Sequence, residues 1–296
     1  MSTPIARRLA RALEPFAGQV YFAPECHSAY AVLGYGQSTR TVAGVEMPEM
    51  VAYFSSRGAI LGDVPGELVA SAFGVFKTSG VVGAVTAGKS IASPAATLSA
   101  RTEGAVAQLT RILGEKPPGL ANGLELLHQA NEGLDVAGKP LFAGLVADGL
   151  IGSELGDAWR LADRLREYRG DAHTAAWTLM GLTACEIGMM SELYWGLPSR
   201  SYVRSRMFTD DDLDTAEAAL EKRGLMANGA LTTDGRGLRE AIEAATDAAC
   251  SPIAAALGDD AEALIGLLST WSAAVCNGYG YPKQGPHDLA ELASPA

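Results

Sequence analysis

Thr209-Asp210-Asp211-Asp212, followed by Leu220-Glu221-Lys222-Arg223-Gly224-Leu225-Met226-Ala227-Asn228-Gly229-Ala230-Leu231-Thr232-Thr233-Asp234-Gly235-Arg236, is the stretch that decides the fold. Thr209 reads as a helix N-cap, with three acids set against the positive end of the helix dipole. Arg223-Gly224 stops that helix. Asn228-Gly229 between apolar residues is the strongest short-range signal for a tight hairpin, because both residues tolerate positive φ. Thr232 then caps another helix, expected over 233–249. Helix, short hairpin, helix is the expected heart of the C-terminal half.

Working outward, residues 157–168 are amphipathic, and Arg169-Gly170-Asp171 reads as a break. A long, nearly apolar helix is expected over 171–194, with Asp171 as its N-cap. A helix apolar nearly all round is buried, so both halves of the chain should share one core. A closing helix is expected over 260–276, with a loose tail from Asn277. Glu115-Lys116-Pro117-Pro118-Gly119 is the strongest punctuation upstream. Residues 120–150 read as short helices with a loop around 137–140. The first half is mostly helical, including residues 5–13 with an apolar face at 5, 9, 12 and 13, and residues 99–113. Residues 19–23 and 30–35 read as extended, and no repeat of fixed period occurs. The expected fold is mainly α: a helical N-terminal domain (1–118), a connector (119–156) and a winged-helix-like C-terminal domain (157–296) with a small β-hairpin wing.

The chain has 296 residues, 48% hydrophobic and 19% charged, with a net charge of −11. That balance excludes collagen-like, disordered and disulfide-scaffold classes. It also sets a field that repels nucleic acid and anionic membranes. The basic cluster Arg7, Arg8 and Arg11 is followed by no apolar run of signal-peptide length, and no stretch is apolar enough to span a membrane. Cys26, Cys185, Cys250 and Cys276 show no zinc-type spacing, which fits a reduced cytoplasm.

The order around the Asn-Gly hairpin resembles the winged helix-turn-helix of MarR-type bacterial regulators, on Leu220, Arg223-Gly224-Leu225, Asn228-Gly229 and 231–236. More of the chain resembles an uncharacterised actinobacterial helix-turn-helix family. The matching segments are Glu14-Pro15, Tyr21-Phe22-Ala23-Pro24-Glu25, Tyr53-Phe54-Ser55-Ser56-Arg57, residues 165–173 and the wing. The resemblance implies a shared fold and no particular activity; residues 36–50 are longer than the family pattern. In MarR-like proteins the helix before the wing enters the major groove. Here that helix carries Asp210, Asp211, Asp212, Asp214, Glu217 and Glu221 against Lys222 and Arg223, and the wing tip has no Arg or Lys. Arg200, Arg204 and Arg206, just ahead, either touch phosphate or neutralise the acidic helix start. Nucleic acid is not an expected partner.

Gly83-Ala84-Val85-Thr86-Ala87-Gly88-Lys89-Ser90 satisfies the P-loop pattern, but no buried strand precedes it and Pro94 interrupts the helix that would follow. A flexible glycine-rich loop is expected there. His173 lies two residues from Asp171 and four from Arg169, a grouping suited to general acid–base work or to capping the helix start. Trp177, Met180 and Ala184 would share its face and build an apolar wall. Glu186 is a lone carboxylate in an apolar run, with Arg57 as an ion-pair partner from the first half. Cys26, between Glu25 and His27, reads as a buried inert thiol.

The first reading is a cofactor-independent enzyme performing acid–base chemistry of isomerase, cyclase or lyase type on an apolar small molecule. Its setting would be actinobacterial specialised metabolism. His173, Asp171 and Glu25 form the expected acid–base set, and Tyr21, His27, Tyr53, Arg57, Phe76, Arg169, Trp177, Met180 and Glu186 the expected substrate contacts. No metal, cofactor or membrane is called for, and a homodimer is compatible. The alternatives are a protein-interaction module on a repurposed winged helix and a ligand-sensing regulator.

Overall fold

The computed structural model describes residues 3–283; the part of the expected tail beyond 283 lies outside the described residues. In chain order the helices are α1 (Ile5–Gly18), α2 (Pro24–Leu33), α3 (Met50–Gly58), α4 (Gly66–Phe73), α5 (Thr78–Ile91), α6 (Pro94–Leu113), α7 (Leu120–Asn131), α8 (Pro140–Asp148) and α9 (Glu154–Leu179). Then follow α10 (Ala184–Tyr194), α11 (Asp210–Lys222), α12 (Thr233–Ala249), α13 (Ser251–Leu257) and α14 (Ala261–Asn277). Two antiparallel pairs complete the fold: β1 (Thr41–Val42) with β2 (Val45–Glu46), and β3 (Met226–Ala227) with β4 (Ala230–Leu231). The fold is mainly α with a small hairpin wing.

The deciding stretch forms as its residues dictate. Thr209 and Asp212 make a reciprocal capping box on α11. Asn228 (φ 51°) and Gly229 (φ 74°) turn the wing, and Thr232 accepts from the Gly235 N–H at 3.1 Å to start α12. Leu213, Leu220, Leu225 and Ile242 pack with Ile187 and Met190 of α10 as the winged-helix core. Burying each such side chain contributes roughly 1.5–3 kcal/mol.

The long helix is not where periodicity places it. α9 runs unbroken through Arg169-Gly170-Asp171 and ends near Met180; Gly181 (φ 67°) turns the chain and α10 begins at Ala184. The stop is written in Thr183-x-x-Glu186, a capping box in which the Thr183 N–H donates to Glu186 at 2.6 Å. Asp171 caps a different helix: its Oδ2 accepts from the N–H groups of Leu141 (3.1 Å) and Phe142 (3.0 Å) at the start of α8. Met180 and Ala184 therefore do not continue the helix face of His173. Residues 19–23 and 30–35 are not extended. A 3₁₀ turn at Gln19–Tyr21 leads to α2, with Pro24 in its first turn and Gly34 (φ 103°) ending it. The glycine-rich stretch 83–90 is no loop; it lies within α5, and Ser93 caps α6 as a separate helix.

α9 is the central element, packed by α1, α7, α8 and α12. One apolar cluster runs from Ala6 to Tyr281 through Trp159, Leu161 and Leu165 of α9, so both halves share a core. Charges lie inside it. Glu167 is 3% exposed and takes two hydrogen bonds from Arg57 of α3, at 3.1 and 2.8 Å. It also accepts from Arg166 (2.8 Å) and the Tyr21 hydroxyl (3.3 Å). Burial alone raises a carboxylate pKa, but Arg57 and Arg166 hold Glu167 down at about 2. Removing it leaves the Arg57 guanidinium without its carboxylate and Arg166 with Glu14 alone. Glu167→Ala should therefore lower the unfolding free energy in urea by about 3–5 kcal/mol; a loss under about 1 kcal/mol would remove Glu167 from this role.

Candidate functional site

A cleft of about 1480 Å³ opens between the first half and the α9–α10 segment. Its apolar wall comes from Tyr53, Phe73, Val75 and Phe76 on one side and Ile187 and Gly188 on the other. The rings are interlocked: Tyr53 and Phe76 centroids lie 5.9 Å apart, and Phe73 and Phe76 6.1 Å. Eight arginines line the cleft (Arg7, Arg8, Arg11, Arg40, Arg57, Arg166, Arg169 and Arg206) against Glu14, Glu49 and Glu243. In a chain of net charge −11, that is a local concentration of positive charge.

Most of these cations are balanced. Arg57 lies over the Phe73 ring at 4.5 Å and is neutralised by Glu167. Arg166 pairs with Glu14 (3.0 Å) as well as Glu167. Arg169 holds Asp247 (2.7 Å) and Glu243 (2.9 Å) of α12. Arg7 pairs with Asp247 and Glu240, and Arg8 with Glu262. Arg206 differs. Its guanidinium lies over the Phe76 (4.5 Å) and Tyr202 (4.4 Å) rings, it donates to the Tyr202 hydroxyl, and its buried Nε has no partner among the described residues.

The expected residues divide. Tyr21, Tyr53, Arg57, Phe76, Arg169 and His173 line the cleft. The others serve the fold elsewhere. Glu25 pairs with Arg111 at 2.5 Å. His27 is bonded to Glu46 (2.6 Å) and the Tyr21 carbonyl (3.0 Å). Trp177 is buried in the winged-helix core with Met180 packed against it. Glu186 closes its capping box, so Arg57 pairs with Glu167 and not with Glu186. Cys26 is buried, and burial pushes its thiol up to about 12. Lys89 of the P-loop-like stretch pairs with Asp63 at 2.6 Å, and the helical backbone there offers no phosphate cradle. Among the described residues, no three His, Cys, Asp or Glu side chains converge as metal ligands, and no helix is long and apolar enough to cross a membrane.

The acid–base set is not brought together. His173 bonds Thr246 Oγ1 through Nδ1 at 3.2 Å, with Glu243 at 4.0 Å, and no hydrogen bond joins it to Asp171 or Glu25. Burial, reinforced by the Arg239 charge, pushes its pKa down to about 4. Asp171 is pushed up to about 7, by burial first and by Glu167 next, while its oxygen stays on α8. Arg206, Tyr202, Phe73, Arg166 and Gly170 are cleft residues that sequence reasoning did not find. The Tyr202-x-x-x-Arg206 spacing was the available signal.

On the winged helix the exposed face of α11 carries Asp210, Asp211, Asp214 and Glu221. Arg200 pairs with Asp214 (2.7 Å) and Glu217 (2.5 Å), Arg204 with Asp210, and Arg223 donates to the Gly181 (3.1 Å) and Met180 (3.2 Å) carbonyls. Of the two roles open to the Arg200, Arg204 and Arg206 cluster, the first two residues neutralise the acidic helix. The sequence matches the helix-turn-helix family over residues 6–282. The chain belongs to that family. No curated protein and no solved structure matches this helix-turn-helix family member.

The His173 environment has a measurable consequence. Its folded pKa near 4 lies below the ordinary 6.5, so the folded chain binds fewer protons than the unfolded one between those values. Its contribution to stability is full above pH 6.5 and is lost as pH falls toward 4. His173→Gln should shrink the loss of unfolding free energy between pH 7 and 4.5 by roughly 2–3 kcal/mol. An acid-denaturation profile identical to wild type would contradict this assignment.

Proposed function

We propose that this helix-turn-helix family member binds a small organic molecule in the central cleft, and that its winged helix forms part of the cleft's surroundings instead of reading DNA. The observation that carries the reading is the cleft itself, about 1480 Å³ with an aromatic wall and arginines in its lining. Ligand sites commonly enclose about 300–1,000 Å³ with a mostly apolar lining and a few placed polar groups. The likeness of the wing region to MarR-type regulators supports descent from a ligand-responsive scaffold. The acidic, internally paired α11 supports loss of duplex contact, since phosphate binding needs unpaired positive charge at the groove.

Acid–base turnover by His173 has weaker support. A ring with a pKa near 4 is neutral at pH 7 but a poor base, and the groups expected to orient it are engaged elsewhere. Binding is the activity that the sensor and enzyme readings share.

Gly170 gives the test. It lines the cleft within α9, and a Cβ there meets only Glu167 Oε2, at 3.5 Å. A large side chain at this position fills the cleft without displacing core. N-phenyl-1-naphthylamine, a neutral fluorescent probe, should bind the wild-type chain with one-to-one stoichiometry. Gly170→Phe should weaken it at least about tenfold while melting at or above the wild-type temperature, because glycine inside a helix costs about 1 kcal/mol. No wild-type binding, or binding untouched by the substitution, would overturn the cleft reading. Separately, duplex DNA should bind no better than non-specific background at physiological salt. A tight, sequence-dependent electrophoretic shift would return the winged helix to DNA.

A further inference from the structure

We infer that the cleft ligand is an organic monoanion, a carboxylate or sulfonate on an apolar body, and that Arg206 is its anchor. This rests on the cleft reading above and replaces the expectation of a wholly apolar ligand. Arg206 is the arginine on the aromatic wall that no carboxylate neutralises among the described residues; Arg57, on the same wall, has Glu167. The guanidinium lies over the Phe76 and Tyr202 rings, 4.5 and 4.4 Å from their centroids. Its Nη2 donates to the Tyr202 hydroxyl. The Nε–H is buried and donates to nothing.

A guanidinium set against aromatic rings with no carboxylate on it keeps its positive charge available to an anion. Its position is fixed from both ends. The Lys77 N–H donates to the Arg206 carbonyl at 3.0 Å, and Met207 packs where a Cβ on Gly80 would lie. The orientation is therefore in place before a ligand arrives, which lowers the ordering cost of binding. Beyond the guanidinium the wall is Tyr53, Val75, Phe76 and Ile187, surface that suits rings or acyl chain. On the aromatic wall one guanidinium lacks a carboxylate among the described residues, so a single anionic head with an apolar body fits that wall.

The test compares two probes of nearly the same shape: 1-anilinonaphthalene-8-sulfonate, an anion, and neutral N-phenyl-1-naphthylamine. Arg206→Met should weaken the sulfonate at least about tenfold and the neutral probe less than about twofold, and Arg206→Lys should recover part of the sulfonate affinity. If Arg206→Met weakens neither probe or both equally, the anchor is overturned and the cleft reading stands. If the neutral probe fails to bind wild type, the cleft reading falls and the anchor with it. A second measurement needs no variant. On the wild-type chain, 2-naphthoate should displace the sulfonate probe at a concentration at least about tenfold below 2-naphthamide. Equal potency of acid and amide overturns the proposal even if Arg206→Met does not fold.

Discussion

A buried carboxylate sets the arrangement of this molecule. Glu167, in the middle of α9, accepts from Arg57 of α3, from its neighbour Arg166, and from Tyr21 ahead of α2. A buried charge of this kind persists only when each partner is present, because desolvation penalises every group left over. The constraint therefore fixes α3 and the α1–α2 junction against one face of α9. α12 is fixed against the same helix by the next cation along, through the Arg169 bonds to Asp247 and Glu243. The cleft is the space these tethers leave between the elements they hold apart.

Two consequences follow for charge. The chain is acidic overall, yet its arginines gather around an interior cleft, where the partners that hold the fold together neutralise most of them. The winged helix shows the reverse. Its nearby arginines are drawn back onto its own acids, and Lys77 of the first half reaches Asp212 at 2.5 Å. Arg223 at the end of α11 is likewise turned inward, onto the Gly181 and Met180 carbonyls. The helix-turn-helix fold is thus combined with an acidic outer face on α11.

The winged half was legible because its signals are local. Thr209, Asn228-Gly229 and Thr232 each satisfy a backbone requirement within a few residues of themselves. The α9–α10 boundary was misread for the opposite reason. Gly170 and Asp171 look like a break, but Asp171 answers a need of α8, thirty residues earlier, which no local pattern reports. Thr183 and Glu186 carried the true boundary, hidden in an apolar run that suggested continuity. Of the residues that line the cleft, Tyr21, Tyr53, Arg57, Phe76, Arg169 and His173 were named from the sequence. Arg206 was not, since in sequence it belongs to a basic cluster whose members part ways only in three dimensions. Pairing across long separations, as between Arg57 and Glu167, leaves no spacing to read.

Where anions bind on the wild-type molecule tests the central claim most directly. In a crystal soaked with bromide, anomalous scattering locates halide on free cationic sites without assuming any ligand. The strongest peak is expected inside the cleft at Arg206, with none along the exposed face of α11 or the wing. Bromide ranged along α11 and the wing, with the cleft empty, would contradict the account and restore the winged helix as the anion-binding surface.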